Sequence, residues 1–185
     1  MIFSNSACII TQLPSPDIFL SHDWPNRIER HGDVQTLVAR NTHLKFDIDA
    51  GTLGSPPLWG LLSHLRPQWW LSGHMRTRFE ATVKHDGPIK DERSPATKFL
   101  ALDKCLPNRQ FLEVLEIATP SQAKSSTRTT PTISFDPHWL AITRALHPYL
   151  SRKKEQGHFP DEEQVRALVA RAGVGAYTRP TQARP

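Results

Sequence analysis

Two short apolar runs, each ending in a small residue and then a histidine, constrain this chain most. Residues 69–76 read WWLSGHMR, and residues 17–25 read DIFLSHDWP. Continuous apolar runs of this length are typical of strands covered on both faces, and Pro25 prevents the earlier strand from continuing. We therefore expect two buried strands that carry His22 and His74 onto loops, where many α/β and sandwich enzymes build metal sites.

One helix is clearly predicted between these strands. Ser55 is a plausible N-cap and Pro56 takes the first helical position. An apolar stripe at helical spacing follows, formed by Leu58, Leu61, Leu62 and Leu65. Pro67 disfavours helical geometry in the residue before it and ends the helix. A helix that leads so directly into a buried strand indicates an α/β layered fold.

The segments around this helix and strand are less regular. Residues 26–54 show little periodicity, and we expect a long loop with one helical turn near residues 34–38. Residues 79–83 alternate between apolar and polar side chains, which predicts a strand with one wet face. Residues 98–102 and 110–117 are two further strand candidates, so the economical prediction is an antiparallel meander.

The last third of the chain predicts two helices separated from the sheet. Residues 118–132 are rich in Ser, Thr and Pro and are expected to form a flexible linker. Asp136 should cap a helix that carries Trp139, Ile142 and Leu146 on one face. A last helix should begin near Asp161 and end at Gly173, followed by a disordered tail over residues 175–185.

The totals narrow the class of protein only loosely. A chain of 185 residues suits one domain, or one domain plus a tail. The formal charge of +5 is compatible with RNA but equally with a mildly basic protein that binds none. Cys8 and Cys105 do not form a disulfide framework, which favours a reducing compartment. No apolar run approaches the roughly 20 residues that cross a bilayer, and no secretory signal is expected.

The two strand-end histidines are the candidate metal ligands. Neutral imidazole suits Zn, Mn and Fe, but a hydrolytic metal site usually needs three or more protein ligands. Asp23 follows His22 and could orient an imidazole from outside the ligand set. Capping of the local turn explains Asp23 equally well.

Basic residues near the strand ends are candidates for contact with phosphate or RNA. These are Arg76, Lys98 and Lys104; the alternative is that each is simply solvated. The sequence contains no P-loop, GxGxxG or GxSxG motif. Cys105 has no indicated partner histidine, so no catalytic residue is assigned.

Longer motifs resemble one known family. Residues 17–25, residues 52–57 (TLGSPP) and residues 97–107 (TKFLALDKCLP) resemble segments of the RNA lariat debranching enzymes, in the order that family has them. The resemblance runs from about residue 13 to residue 117. It continues more weakly through residues 135–140 (FDPHWL), which resemble the start of the family's C-terminal domain.

The resemblance implies an α/β (α+β) fold, here a partial metallophosphoesterase-type β-sandwich flanked by helices. It implies hydrolysis of the 2′,5′-phosphodiester of branched (lariat) RNA in intron turnover, in the nucleus and alternatively also in the cytoplasm. A divalent metal (Mn, Fe or Zn) would be the cofactor, with His22 and His74 matching two of the family's ligands. The implied domains are residues 1–117, part of the metallophosphoesterase domain, and residues 133–174, the start of the C-terminal domain.

Two departures from the family pattern bear on activity. The family's second motif resembles His-x-His, but this chain has Arg76 at the second position, and a guanidinium cannot ligate a metal. The family's N-terminal motifs, of the forms Gly-Asp-x-x-x-Asp and Gly-Asn-His-Glu, do not occur here. The chain is therefore expected to correspond to the C-terminal half of the enzyme.

Three hypotheses follow from these departures. The chain is a metal-dependent phosphodiesterase fragment with little activity unless the N-terminal half is supplied as a partner. Alternatively, it is a non-catalytic remnant that binds RNA or protein. As a third alternative, it is an incomplete gene product with no independent function.

Overall fold

A computed structural model describes residues 15–86, 95–117, 135–149 and 160–171. The described residues fall into two compact units: those up to residue 117 belong to one, and those from residue 135 onward to the other. The predicted linker 118–132, the tail 175–185 and Gly173 lie outside the described residues. The domain boundaries drawn from the sequence therefore remain a prediction.

The first unit is built on a four-stranded mixed sheet. Its strands are β1 (Ile18–Ser21), β2 (Trp69–Ser72), β3 (Phe79–Lys84) and β4 (Ala96–Ala101), in the spatial order β1-β2-β4-β3. β2 pairs in parallel with both β1 and β4, whereas β3 and β4 are antiparallel. The mixed α/β class, with a sheet flanked by helices, is thus confirmed. This is the one sheet among the described residues.

The two faces of this sheet differ, and we name them by one row of side chains each. The core face carries a row of register partners across all four strands, namely Phe19, Trp70, Phe99 and Ala81. The outer face carries the next row, Leu20, Leu71, Leu100 and Glu80. Trp24 covers the core face, with its ring stacked 5.2 Å from that of Phe79.

The helix between β1 and β2 agrees with the sequence prediction. It spans Pro56–Leu65 and buries Leu61, Leu62 and Leu65, with Pro56 in its first turn. It stops because Arg66 adopts a left-handed backbone with φ 50° and Pro67 follows. In chain order this helix is α3.

The expected long loop over residues 26–54 is wrong, although the helical turn predicted near residues 34–38 is confirmed. The segment contains a 3-10 helix (Ile28–His31), α1 (Val34–Arg40), a second 3-10 helix (Thr42–Leu44) and α2 (Lys45–Ala50). These helices are short, and α1 buries only Leu37. Their sequences therefore contain no apolar stripe from which a helix could be predicted.

The predicted third strand of the meander, residues 110–117, is also wrong. β3 and β4 form the expected antiparallel pair, but the segment after them has no strand structure. β4 is central and has both edges occupied, and the outer edge of β3 already carries a bridge between Ala81 and Gly32. The apolar side chains of the segment are instead largely exposed, with Val114 at 90%.

The second unit contains α4 (Pro137–Leu146), a 3-10 helix (His147–Tyr149) and α5 (Glu162–Arg171). Asp136 and Asp161 begin the two helices as predicted. A core of Ile142, Leu146, Val165 and Val169 joins them, whereas Trp139 is half exposed. None of the helices described is both long and apolar enough to span a membrane.

Candidate metal and phosphate site

His22 and His74 lie side by side at one edge of the sheet. Each follows the carboxyl end of its strand, and β1 and β2 are parallel neighbours with Ser21 opposite Ser72. Nδ1 of His74 lies 2.9 Å from Nε2 of His22, and the two rings meet edge to face. At this distance one nitrogen carries a proton and the other presents its lone pair. Both side chains are exposed, so the pair is open to a ligand from solvent.

The loop that carries His74 has a strained backbone. His74 and Arg76 both have left-handed conformations, with φ of 56° and 53°. The turn is closed by a hydrogen bond from the Met75 N–H to the Gly73 carbonyl, 2.8 Å long. A left-handed backbone conformation costs a non-glycine residue roughly 1–2 kcal/mol of conformational energy, and residues strained in this way cluster at functional sites.

Arg76 is the predicted phosphate contact that shares a cavity with His74. It lines the same cavity as His74, of about 470 Å³, and the cavity also contains Gly73 and Asp103. Leucine side chains of the outer face make up most of the remaining wall. A guanidinium in the same cavity as an imidazole suits an anionic ligand that is bound partly through a cation.

The other two basic candidates lie elsewhere. Lys98 sits on the outer face, with Nζ 5.2 Å from the centre of the Trp69 ring, at the strand end opposite to the histidines. Lys104 is exposed in the turn after β4, and its backbone N–H donates to Asp103 Oδ1. Arg76 therefore shares a cavity with His74, whereas neither lysine lines that cavity.

Asp23 caps its local turn. Its Oδ1 accepts a hydrogen bond from the Trp24 N–H at 2.7 Å. Within the described ranges no hydrogen bond joins this carboxylate to either imidazole. Of the two sequence interpretations, the structure shows the turn-capping contact, and a role in orienting an imidazole remains a prediction.

Two contacts that the sequence did not indicate lock the histidine loops together. The Gly73 N–H donates to the His22 carbonyl at 3.1 Å, and the buried Trp24 indole N–H donates to the Gly73 carbonyl at 2.9 Å. The parallel pairing of β1 and β2 thus continues past the strand ends. The sequence pattern predicts only that Pro25 stops the strand, and it does not indicate that Trp24 supplies this indole.

Two further histidines serve the fold. Burial lowers the pKa of His31, which stacks on Trp59. Burial also lowers the pKa of His85, whose Nε2 lies 2.8 Å from the Thr97 hydroxyl. Because Thr97 donates to the Pro67 carbonyl, His85 Nε2 is the donor in this contact. These imidazoles hold structure and are not ligand candidates.

The donor chemistry of the pair fits a divalent cation in part. Two facing imidazole nitrogens suit Mn, Fe or Zn. Among residues 15–86, 95–117, 135–149 and 160–171, no group of three or more His, Cys, Asp or Glu side chains gathers at one point. The pair would therefore supply two ligands of a larger set.

Paired imidazoles at the carboxyl ends of neighbouring parallel strands, with an arginine in the loop that follows, define an α/β protein whose candidate site lies at one end of the sheet. Comparison with known proteins makes this class specific. A family model described as the lariat debranching enzyme, C-terminal domain, matches residues 94–173. Proteins named lariat debranching enzyme match a larger part of the chain than this family model does.

The lariat debranching enzyme of Gallus gallus is 35% identical over 159 residues, and that of Homo sapiens 37% identical over 159 residues. Each match covers 85% of this chain but 28% of the relative. The enzyme of Saccharomyces cerevisiae is 38% identical over 67% of this chain and 40% of its own length. The chain is a homologue of the lariat debranching enzymes over this part of their length, and the resemblance seen in its motifs is confirmed.

Proposed function

We propose that this chain supplies the His22–His74 part of a metal-dependent phosphodiesterase site that acts on branched RNA. The observation that carries the proposal is the 2.9 Å contact between the two imidazoles, which lie 52 residues apart in sequence. The relatives are named lariat debranching enzymes, which supports the 2′,5′-phosphodiester of an intron lariat as the substrate. We accordingly expect the chain in the nucleus, where introns are removed.

His22 and His74 would hold a divalent cation, Mn, Fe or Zn, together with ligands that are not part of this pair. Such a cation activates water and polarises a phosphoryl oxygen when it is bound. Arg76 lies on the same cavity wall as His74 and can donate to a phosphate oxygen, which fixes the branch near the two imidazoles. Asp23 keeps the His22 loop in its turn by accepting the Trp24 N–H.

Little cleavage is expected from this chain alone. Two imidazoles do not complete a hydrolytic ligand set, and Arg76 brings a positive charge to the position where the family motif has a further histidine. We therefore expect this part of the site to bind the branch point without cleaving it. Cleavage requires the further ligands that complete the metal site.

A second candidate function is RNA binding without cleavage. The observation that favours it is the contact of Lys98 with the Trp69 ring on the outer face. A cation beside an aromatic ring is a common arrangement for stacking and neutralising single-stranded nucleic acid. Binding of this kind would be strongly salt-dependent and indifferent to branching.

The test measures binding and cleavage of a branched RNA and its linear counterpart by the full chain, with and without Mn²⁺. We expect Mn²⁺ to strengthen binding of the branched RNA, with slow or no cleavage. His22→Ala and His74→Ala should each remove the Mn²⁺-dependent part of binding, whereas His43→Ala, at an exposed histidine of a 3-10 helix, should not.

Rapid cleavage by the 185-residue chain alone would contradict the incomplete ligand set. Equal, Mn²⁺-independent binding of branched and linear RNA that weakens steeply with salt would instead support the second function. In that case Lys98→Ala, and not His74→Ala, should reduce affinity.

A further inference from the structure

We infer that Ser21, Ser72 and Trp70 are positioning residues for the His22–His74 pair. The inference rests on the proposed function, because it assigns a role to residues behind the two imidazoles. Ser21 and Ser72 line the cavity that also contains His74 and Arg76, and the role assigned to them here is to act through the two histidine loops. They fix the point at which the two histidine loops leave the sheet.

The two serines occupy the last register position before the histidines. Ser21 ends β1, Ser72 ends β2, and the two are paired across the parallel strands. Their Oγ atoms lie 2.8 Å apart. Each serine is one or two residues from a histidine, so a shift of either strand end would move an imidazole with it.

A buried indole anchors both hydroxyls from below. Trp70 is fully buried on the core face, and its Nε1–H donates to Ser21 Oγ at 2.9 Å and to Ser72 Oγ at 3.2 Å. A ring wedged in the core can hardly rotate. The indole therefore defines where both serine oxygens lie, and it joins the two strand ends through a single donor.

The hydroxyls pass this constraint on to the His22 loop. The Asp23 carbonyl accepts from Ser21 Oγ at 2.7 Å and from Ser72 Oγ at 3.1 Å. Each hydroxyl has one proton and accepts from the indole, so the two serine protons are shared between the contact of the serines with each other and the Asp23 carbonyl. The peptide after Asp23 is thus held by side chains from both strands.

The local consequence is a fixed distance between two exposed rings. Exposed histidines ordinarily sample several rotamers, and their loops would be free to separate at the end of the ladder. Here the strand ends are tied at the serines, while Trp24 and Gly73 tie the loops beyond them. An arrangement with outer residues that fix the ligands is typical of metal sites, where loss of such a partner weakens binding 10–100-fold.

The experiment compares Ser72→Ala, Ser21→Ala and Ser72→Thr in the full chain, with Ser63→Ala as the matched control. Ser63 is an exposed serine of α3. The first readout is the nuclear Overhauser contact between the ring protons of His22 and His74 without metal. The second is the affinity for Co²⁺, followed by its visible absorption.

We expect the ring contact in the wild type, in Ser63→Ala and in Ser72→Thr, which retains the hydroxyl. It should weaken or vanish in Ser72→Ala and Ser21→Ala, and their Co²⁺ affinity should fall about tenfold. Trp70→Phe, which keeps an aromatic ring but loses the donor, should show the same change. The NMR signals of the buried Phe99 ring, called the core signals, are first checked in each variant. They establish that the variant is folded before a loss of the ring contact is interpreted.

An unchanged ring contact in both alanine variants overturns the inference, whatever the RNA and metal assays show. If the ring contact depends on the hydroxyls but the wild type binds neither Co²⁺ nor branched RNA, the positioning role stands and the proposed function fails. An alanine variant that loses the core signals is replaced by its cysteine counterpart, because a thiol is only a weak hydrogen-bond partner; Ser21→Thr and Ser72→Thr are the variants that retain the hydroxyl. Loss of the ring contact in both folded threonine variants likewise overturns the inference.

Discussion

The two faces of the sheet carry neighbouring rows of apolar side chains but are buried to very different degrees. On the core face, Trp70 and Phe99 are 0% and 1% exposed. On the outer face, Leu20 is 71% exposed, whereas Leu100 is buried at 5%. Hydrophobicity alone therefore does not decide burial in this sheet.

The difference comes from what lies opposite each row. Trp24 packs against Phe79 and Phe99 on the core face, within a continuous aromatic cluster. On the outer face, Glu113 and Leu115 of the irregular segment 111–117 line cavities together with Leu100. Burial on the outer face consequently decreases from β4 towards the β1 edge.

Truncating one side chain on each face should give the largest contrast. Phe99→Ala removes a ring from the aromatic cluster and should lower the free energy of unfolding by about 3–5 kcal/mol. Leu20→Ala, on the outer face, should change it by less than about 0.5 kcal/mol. Urea unfolding measures both, and similar losses would mean that the outer face is covered in solution.

Two glycines extend the comparison to the edge of the sheet. A Cβ at Gly32 would lie 2.2 Å from the Glu80 carbonyl oxygen and 2.6 Å from Phe79 Cζ, whereas one at Gly60 would meet open space. Gly32→Ala should therefore cost about 1–3 kcal/mol through overpacking. Gly60→Ala, within α3, should stabilise by about 0.5–1 kcal/mol. Thermal unfolding of the pair checks the opposite signs, and equal shifts would contradict the close approach at Gly32.

Glu29 tests the cost of burying a charge beside β3. Its side chain is 1% exposed, and neither oxygen has a hydrogen-bond partner within the described residues, although Arg30 Nε lies 3.7 Å away. Burial raises the pKa of this carboxyl above its ordinary value of 4.5, against the lowering effect of Arg30 and Arg27. The protonated form is thus favoured by folding, and its stabilising contribution is lost as the pH rises through the folded pKa.

Glu29→Gln should therefore raise the free energy of unfolding at pH 7 by about 1 kcal/mol. The gain should shrink as the pH falls towards 4.5. Glu116→Gln, at an exposed carboxylate, is the control and should have little effect. Urea unfolding at several pH values measures this, and parallel pH profiles for Glu29→Gln and the wild type would refute the assignment.

The smallest effect is expected where the segment 111–117 is tied to the sheet. Arg78 forms ion pairs with Glu113 and Glu80. The hydrogen bond from Arg78 holds the pKa of the Glu113 carboxyl below its usual range. This ion pair is present above the unfolded pKa of Glu113 and is lost as the pH falls through the folded pKa.

Arg78→Ala should increase amide hydrogen exchange across residues 111–117 a few-fold and leave global unfolding nearly unchanged. Relative to the intrinsic rate at each pH, the same exchange should rise at acid pH in the wild type but not in the variant. Lys84→Ala, at an exposed residue of β3, is the matched control. Faster exchange throughout the sheet would show that Arg78 supports more than this segment.

The features that the sequence predicted correctly are those with a complete local pattern. α3 has an N-terminal proline and a leucine stripe, and β3 alternates over its whole length with the burial that alternation predicts. The strand-end histidines were found for the same reason, because an apolar run ending in Ser and His is visible in one stretch of chain.

The features that were missed depend on distant parts of the chain. Residues 110–117 have a strand-like composition, but β4 already has a strand on each side and β3 is bridged to Gly32, and this occupancy is a property of the whole topology. The contact of Trp70 with two serine hydroxyls likewise required the register of β1 against β2. The short helix α2 was missed, and only one turn of α1 was predicted, because two turns or fewer leave no period to detect.

The strand order also has a consequence for how this molecule folds. β3 and β4 follow one another in the chain and can pair as soon as a short loop closes, whereas Ser21 and Ser72 meet across 51 residues. Contacts of long sequence separation carry the larger closure entropy and form later. We expect the hairpin to appear first and β1 to dock last, so that the two imidazoles come together only in the final step of folding.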